Sequence, residues 1–381
     1  MNYAEFRDSL AGKIEEKLEW KNLATFVPNK RLPVYRWFYY KEGFAKDMVD
    51  KIIEMFEIKK NGMVLDPFCG SGTTLLACKQ RSINSVGYDV LPVSVFASKV
   101  KTSDYDVERL LSDLKKITKT SFVRFEIKEK FPSLFYKAFS KYALEDIAFI
   151  RKKILDVEPE NRGFFVLALI NSSLKCSFAR KDGSAIKIRR CPVAPLRKMF
   201  GRVAANMIKD VKKCGKNSAD VVAELNDSRS IPLEDGSVDA VITSPPYLNQ
   251  IDYTKVYSIE DFFLHGEPVP GIRAYIGLRP AESIFLDEID LPVQARLYFE
   301  DMDSVLKEMH RVLKNGGRTA IIVGNGYAGK VIESDIILAY LAEKIGFFVE
   351  KIYVLNKRFA LEERTIKKGV LRESLIILSK Q

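Results

Sequence analysis

Two short stretches of the chain carry residue types that could do chemistry together. Asp66-Pro67-Phe68-Cys69-Gly70-Ser71-Gly72-Thr73-Thr74 sets an acid beside a glycine turn. The glycines let the backbone bend tightly and let a ligand approach the amides. The helix that follows would present unpaired N–H groups. A phosphate-binding loop needs Gly-Lys-Ser/Thr at this place, and there is no lysine. A dinucleotide loop needs a third glycine, which is missing. An acid at a strand end suits an ammonium group, and Asp89, at the end of the next predicted strand, suits a ribose diol. A cationic amino acid joined to a nucleoside satisfies both acids, and S-adenosylmethionine is such a molecule. The competing reading is a strand–helix turn whose glycines serve packing alone.

The second stretch is Thr243-Ser244-Pro245-Pro246-Tyr247. Its two prolines fix the backbone and remove two N–H donors, so the turn shows carbonyls outward. An exocyclic amine on a base needs two acceptors, and the Ser244 hydroxyl and Pro245 carbonyl can supply them. Tyr247 can stack on a base that has left its helix. The plainer alternative is a rigid turn with a core tyrosine.

The elements that must position these residues form an α/β pattern. DMVDKIIEMFEI predicts an amphipathic helix with Met48, Ile52, Met55 and Phe56 on one face. MVLDPF and NSVGYDV read as strands, with the glycine turn and a helix between them. SVDAVIT is a buried strand before the proline turn. MDSVLKEMHRVLKNGG predicts a helix closed by its double glycine. RTAIIVGNG, FFVEKIYVLN and ESLIILSK read as further strands around a helix, SDIILAYLAEKIG. The segments are an N-terminal cofactor-flanking stretch (1–46), a first α/β part (47–100), a basic, mainly helical insertion (101–218) and a second α/β part (219–381). The two α/β parts add up to one Rossmann-like sheet. Within the insertion, CSFARKDGSAIKIRRCPVAPLRK has the highest local density of positive charge, and Arg180, Lys187, Arg189 and Arg190 are its candidate phosphate contacts. A solvated charged face is the plainer reading.

Composition narrows the classes. The formal net charge is +11, which favours an anionic partner, nucleic acid before membrane. No apolar run approaches the roughly 18 residues of a membrane span, and the start lacks a signal-peptide core, so a cytoplasmic protein is expected. Five cysteines without a CxxC pair and only two histidines give no expected metal site and speak against a histidine-based triad. Cys69 reads as small-residue packing inside the turn, not as a nucleophile.

Taken as a pair, DPFCGSGTT and TSPPY resemble the cofactor and catalytic motifs of the nucleic-acid amino-methyltransferases, the DNA adenine-N6 and cytosine-N4 methylases. The resemblance covers about residues 35–100 and 220–381. It implies an S-adenosylmethionine-dependent methyltransferase fold. It implies cofactor contacts from Asp66, Phe68, Gly70, Gly72, Thr73 and Asp89, with Asp227 accepting from the cofactor's adenine amine. KEGFA (Lys41–Ala45) is similar to the family's N-terminal cofactor-flanking motif. Ser244 in place of the acid or amide before Pro-Pro resembles the cytosine-N4 branch. The basic insertion lies earlier in the chain than a target-recognition domain usually does in methylases of this motif order. The chain also resembles an archaeal group of ribosomal-RNA cytidine-N4 methyltransferases, which yield N4,N4-dimethylcytidine.

The expectation is therefore methyl transfer to the exocyclic N4 amine of cytosine in nucleic acid, with ribosomal RNA placed ahead of DNA. The alternatives are a site-specific DNA cytosine-N4 or adenine-N6 methylase, a protein side-chain amide methylase, and a nucleic-acid-binding module without catalysis. Ser244, Pro245, Pro246 and Tyr247 are the expected catalytic turn. Tyr247, Asn249, Asp252 and Tyr253 are the expected lining of the base pocket.

Overall fold

A computed structural model describes residues 2–119, 130–182, 185–248, 252–265, 289–362 and 366–381. The chain opens with α1 (Tyr3–Ser9), β1 (Ile14–Glu16) and three 3-10 turns (Leu18–Ala24, Val27–Arg31, Tyr35–Trp37). There follow α2 (Lys46–Met55), β2 (Met63–Asp66), α3 (Thr73–Gln80), β3 (Asn84–Asp89) and α4 (Pro92–Thr102). The next segment holds α5 (Val107–Lys119), α6 (Ser133–Ala138), α7 (Lys141–Ile154), α8 (Pro159–Lys175), a hairpin of β4 (Ala179–Asp182) and β5 (Ala185–Ile188), and α9 (Leu196–Cys214). The sheet resumes with β6 (Val221–Leu225) and β7 (Val238–Thr243), then α10 (Tyr253–Val256), α11 (Ser258–His265) and α12 (Val293–Val312). It closes with β8 (Leu313–Gly324), the short pair β9 (Gly326–Tyr327) and β10 (Val331–Ile332), α13 (Ser334–Ile345), β11 (Phe347–Glu362) and β12 (Ile366–Lys380).

The main sheet runs β1-β11-β12-β8-β7-β2-β3-β6. Strands β6, β3, β2, β7 and β8 are mutually parallel, and β12 runs antiparallel between β8 and β11. The order reverses between β2 and β7. After β2 the chain builds outward through β3 to β6, then returns to lay β7 on the other side of β2. In open parallel sheets the crevice at such a reversal, at the carboxyl ends of the strands, is where ligands bind. Asp66 ends β2 and Thr243 ends β7, so both motifs of interest meet there.

Period-two alternation places the core. Ile321 and Val323 of β8, with Ile376 and Leu378 of β12, face α12 and α13; Ala320, Ile322, Leu375 and Ile377 face the opposite side, with α2. A third apolar cluster binds α5–α9 to α4, α10, α11 and the aromatic stretch around Trp37. Three sequence expectations shift. The buried face of α2 is Met48, Val49, Ile52 and Ile53, with Met55 and Phe56 only half-buried. Helix α12 stops at Val312, because Leu313 is already extended and begins β8; the double glycine falls inside that strand. The basic segment 179–188 is a hairpin within the helical insertion. Among the described residues no helix is long and apolar enough to cross a membrane.

Candidate active site

One cleft of about 210 Å³ opens at the carboxyl ends of β2, β3 and β7. Asp66, Phe68, Gly70, Thr73, Asp89, Asp227, Ser244, Pro245, Pro246, Tyr247 and Tyr253 all line it. The two motifs, 170 positions apart in the sequence at Ser244 and Thr74, thus share one cavity.

The floor is built from the acids. Asp66 is buried, and its carboxylate accepts from the Thr243 hydroxyl at 2.7 Å and the Phe68 amide at 3.2 Å. Burial pushes its pKa up to about 6, against the pull of the Thr74 and Thr243 hydroxyls. Asp89 accepts from Gly70 N at 2.9 Å through Oδ2 and from Leu91 N at 2.8 Å through Oδ1. Burial raises its pKa to about 6 as well, opposed by those amides. Among the described residues neither acid has an ion-pair partner. Two buried carboxylates without a counter-cation suit an ammonium group and a diol, so this donor set fits S-adenosylmethionine.

The glycine turn bends where a side chain could not follow. Gly70 has φ +49°, and a Cβ there would sit 2.8 Å from Cε1 of Tyr40. Gly72 has φ +74° and does not line the cleft; it packs against Ser98 of α4, where a Cβ would meet the Ser98 hydroxyl at 2.7 Å. Lys101, also on α4 and buried, donates to the Ser71 carbonyl from behind the turn, and burial draws its pKa down to about 7.

The segment after β6 closes one side. Ser228 is buried and donates to the Pro67 carbonyl. Asp227 is held by Arg229, which also reaches Asp301 at 3.0 Å. In the Ser-Pro-Pro-Tyr turn Ser244 lines the cleft beside the Tyr247 side chain. The Tyr247 hydroxyl donates to Glu373 Oε1 at 2.8 Å, and its ring lies against Gly324 of β8. Asp252 caps α10 and pairs with Lys255. Asn249 lies outside the described residues.

Beyond the individual residues expected from sequence, the cleft is also lined by Tyr40, by Glu42 within KEGFA, and by Glu373. Tyr40 stacks on Tyr257 at 5.2 Å and walls the glycine turn; Glu42 accepts from the Tyr257 hydroxyl at 2.7 Å; Glu373 holds Tyr247. Tyr40 immediately precedes KEGFA in the sequence. Glu373, at the head of an apolar strand, carried no signal.

Arg180, Lys187, Arg189 and Arg190 do not line this cleft. They are exposed on or just after the β4–β5 hairpin, and β5 packs against α10, the helix that follows the Ser-Pro-Pro-Tyr turn in the chain. Lys187 is paired with Asp182 at 2.5 Å.

A parallel sheet with this order and antiparallel β12, an acid after each of its first two central strands and a cofactor cleft at the reversal define a Rossmann-like methyltransferase that uses S-adenosylmethionine. The chain matches the DNA methylase family over residues 10–95 and 238–380, and it belongs to that family. It is similar to the Type II methyltransferase M.BsoBI of Geobacillus stearothermophilus, at 27% identity over 94% of this chain and 88% of the relative. It is similar at the same identity to the Type II methyltransferase M.AvaI of Anabaena variabilis, over 92% of this chain and 86% of the relative. A methyltransferase structure from Methanosarcina mazei covers 86% of this chain and 96% of its own, with 12% identity and TM-score 0.34, too remote to carry weight. The family supports DNA better than the ribosomal RNA that the sequence reading placed first. The whole of the basic insertion, 101–218, lies in the stretch, 96–237, that the family match leaves out.

The raised pKa of both acids gives a pH prediction. Protonation begins near pH 6 instead of near 3.8, and the protonated forms no longer attract an ammonium. Cofactor affinity is therefore expected to be level above about pH 7 and to fall as pH drops through 6. Calorimetry across that range checks it; affinity unchanged down to about pH 5 would show that neither acid is a receptor.

Proposed function

We propose that this protein transfers a methyl group to the exocyclic N4 amine of a cytosine in DNA. The observation that carries the reading is the Ser244-Pro245-Pro246-Tyr247 turn lining the same cleft as Asp66 and Asp89. S-adenosylmethionine, when bound, supplies the electrophilic methyl.

The chain's residues do the rest by binding and orienting. Asp66 takes the ammonium end, Asp89 the ribose and Asp227 the adenine amine. Phe68, Gly70 and Thr73 shape the cleft around them. Ser244 Oγ and the Pro245 carbonyl accept from the target amine and aim its lone pair inward. Pro246 keeps that turn rigid, since proline fixes φ. Tyr247 presents its ring to the base, with Glu373 fixing its tilt. Tyr253 bounds the base pocket from α10, while Asp252, expected there from sequence, caps that helix instead and does not line the cleft. Orientation of this kind accounts for much of a methyl-transfer rate. The hydroxyl of Ser244 favours cytosine-N4 over adenine-N6, because the adenine branch that the motif resembles carries an acid or amide there.

The β4–β5 hairpin is the proposed phosphate grip, through Arg180, Lys187, Arg189 and Arg190. Reversing Lys187, Arg189 and Arg190 to Glu is expected to weaken DNA binding and flatten its salt dependence, by about 0.9 in log–log slope for each phosphate that is no longer neutralised. The two arginines should contribute more than Lys187, which Asp182 already pairs. Cofactor affinity should stay the same. A slope equal to the parent protein's would place the DNA elsewhere.

The test of the activity itself is transfer of tritiated methyl from S-adenosylmethionine to mixed-sequence duplex DNA. Label in the DNA supports the reading. No label, with cofactor binding demonstrated by calorimetry, would reject it.

A further inference from the structure

A second cleft of about 650 Å³ lies on the far side of the wall that bounds the first. The wall is the stretch 38–44. Tyr39 lines the second cleft and Tyr40 the first. Tyr257 stands inside it, stacked on Tyr40, with Lys181 Nζ 3.4 Å from its ring centroid. Lys181 also pairs with buried Glu260 at 2.5 Å.

The cleft has an apolar floor and a cationic rim. Trp37, Phe38, Val203 and Met207 are buried in the floor, while Tyr39 stands 45% exposed at the edge. Lys30, Arg36, Lys175, Arg180 and Lys181 bring five positive charges to the walls. The only acids among the lining residues are Asp210 and Glu260, and both are already engaged. Asp210 accepts from Arg36 at 2.5 and 3.0 Å and from Trp37 Nε1 at 3.0 Å. Lys30, Lys175 and Arg180 have no carboxylate partner among the described residues. Lys30 sits 4.2 Å from the Tyr39 ring centroid, and Arg180 donates to the carbonyls of Ser177 and Ala179. An aromatic shelf under unneutralised cations selects a planar ring that carries an anion.

We infer that this cleft binds a nucleotide other than the one methylated, its base on Tyr39 and its phosphate between Lys175 and Arg180. The same hairpin joins the two sites. β4 supplies Arg180 and Lys181 to the second cleft, and β5 packs against α10, the helix that follows the Ser-Pro-Pro-Tyr turn in the chain. A strand lying along the hairpin would reach both. The nucleotide is either part of the DNA substrate or free in solution. The first source rests on the DNA reading above, and the second does not.

The test compares the parent protein with Tyr39→Ala and Lys175→Met, whose replaced side chains are exposed. Unchanged calorimetric affinity for S-adenosylmethionine confirms that each variant is folded. The probes are 2′-deoxycytidine 5′-monophosphate, followed by tryptophan fluorescence, and a fluorescein-labelled duplex, followed by anisotropy. If the nucleotide belongs to the DNA, each substitution weakens duplex binding about tenfold and raises KM for DNA at unchanged kcat. If it is free, the monophosphate binds the parent protein and loses about tenfold in each variant, while duplex affinity holds. Either result supports the site. Equal affinities of parent and both variants for both probes would overturn it. Monophosphate binding that disappears in the variants, in a protein that methylates no DNA, would retain this site and reject the proposed activity instead.

Discussion

Asp89→Ala is expected to weaken S-adenosylmethionine binding about a hundredfold. Loss of a hydrogen bond to a charged group costs about 1.5–3 kcal/mol, which is roughly ten- to a hundredfold in affinity. The upper end applies because Asp89 has two tasks. One is the proposed bond to the ribose. The other is visible in the fold: its two oxygens accept from Gly70 N and Leu91 N and so fix the glycine turn. Alanine releases both amides into a buried site with no acceptor. Asp89→Asn keeps one carbonyl oxygen and should lie between the two. Calorimetry at pH 8, where both acids are charged, separates these cases. A dissociation constant unchanged in Asp89→Ala would remove this residue from the cofactor site.

Ser244→Ala is expected to slow methyl transfer about ten- to a hundredfold, the effect of losing one orienting hydrogen bond worth on the order of 1–3 kcal/mol. The substitution leaves Asp66, Asp89 and the glycine turn untouched, so cofactor affinity should hold. Tyr247 keeps its bond to Glu373 and its seat against Gly324, so the ring should remain placed and DNA affinity should change little. Single-turnover methylation with saturating protein and cofactor isolates the step. A rate equal to the parent protein's would mean that this turn does not hold the amine. A far larger loss would mean that Ser244 also handles the proton.

Most of the cofactor side of this cleft was legible in the sequence, because its determinants are local. An acid, a glycine turn and a helix start are fixed by adjacent residues, and the strand ends place them at the reversal of the sheet. The serine–proline turn was legible for the same reason. What was not legible depends on distant pairs. Tyr247 and Glu373 are 126 positions apart, and the Arg36–Asp210 pair that lines the second cleft spans 174. No spacing rule links such residues. Helical periodicity in 101–218 indicated helices, but not that β4 and β5 interrupt them, since two four-residue strands rich in charge, with only one half-buried face, show little apolar alternation. The double glycine misled for a related reason: it satisfies the rule for a helix end, yet Gly316 and Gly317 sit inside β8 after the chain has already turned at Leu313. Substrate choice was the least legible feature, because nothing in the two motifs separates a cytosine in RNA from one in DNA.

The most direct measurement is the identity of the methylated nucleoside. Purified protein would be incubated with S-adenosylmethionine and, in separate reactions, duplex DNA and ribosomal RNA. The products would be digested to nucleosides and separated by mass spectrometry against standards. The expected product is N4-methyl-2′-deoxycytidine from the DNA reaction, reduced about ten- to a hundredfold when Ser244→Ala is assayed within one parent turnover time. N6-methyl-2′-deoxyadenosine as the product, or methylated cytidine from the RNA reaction alone, would contradict the proposed activity.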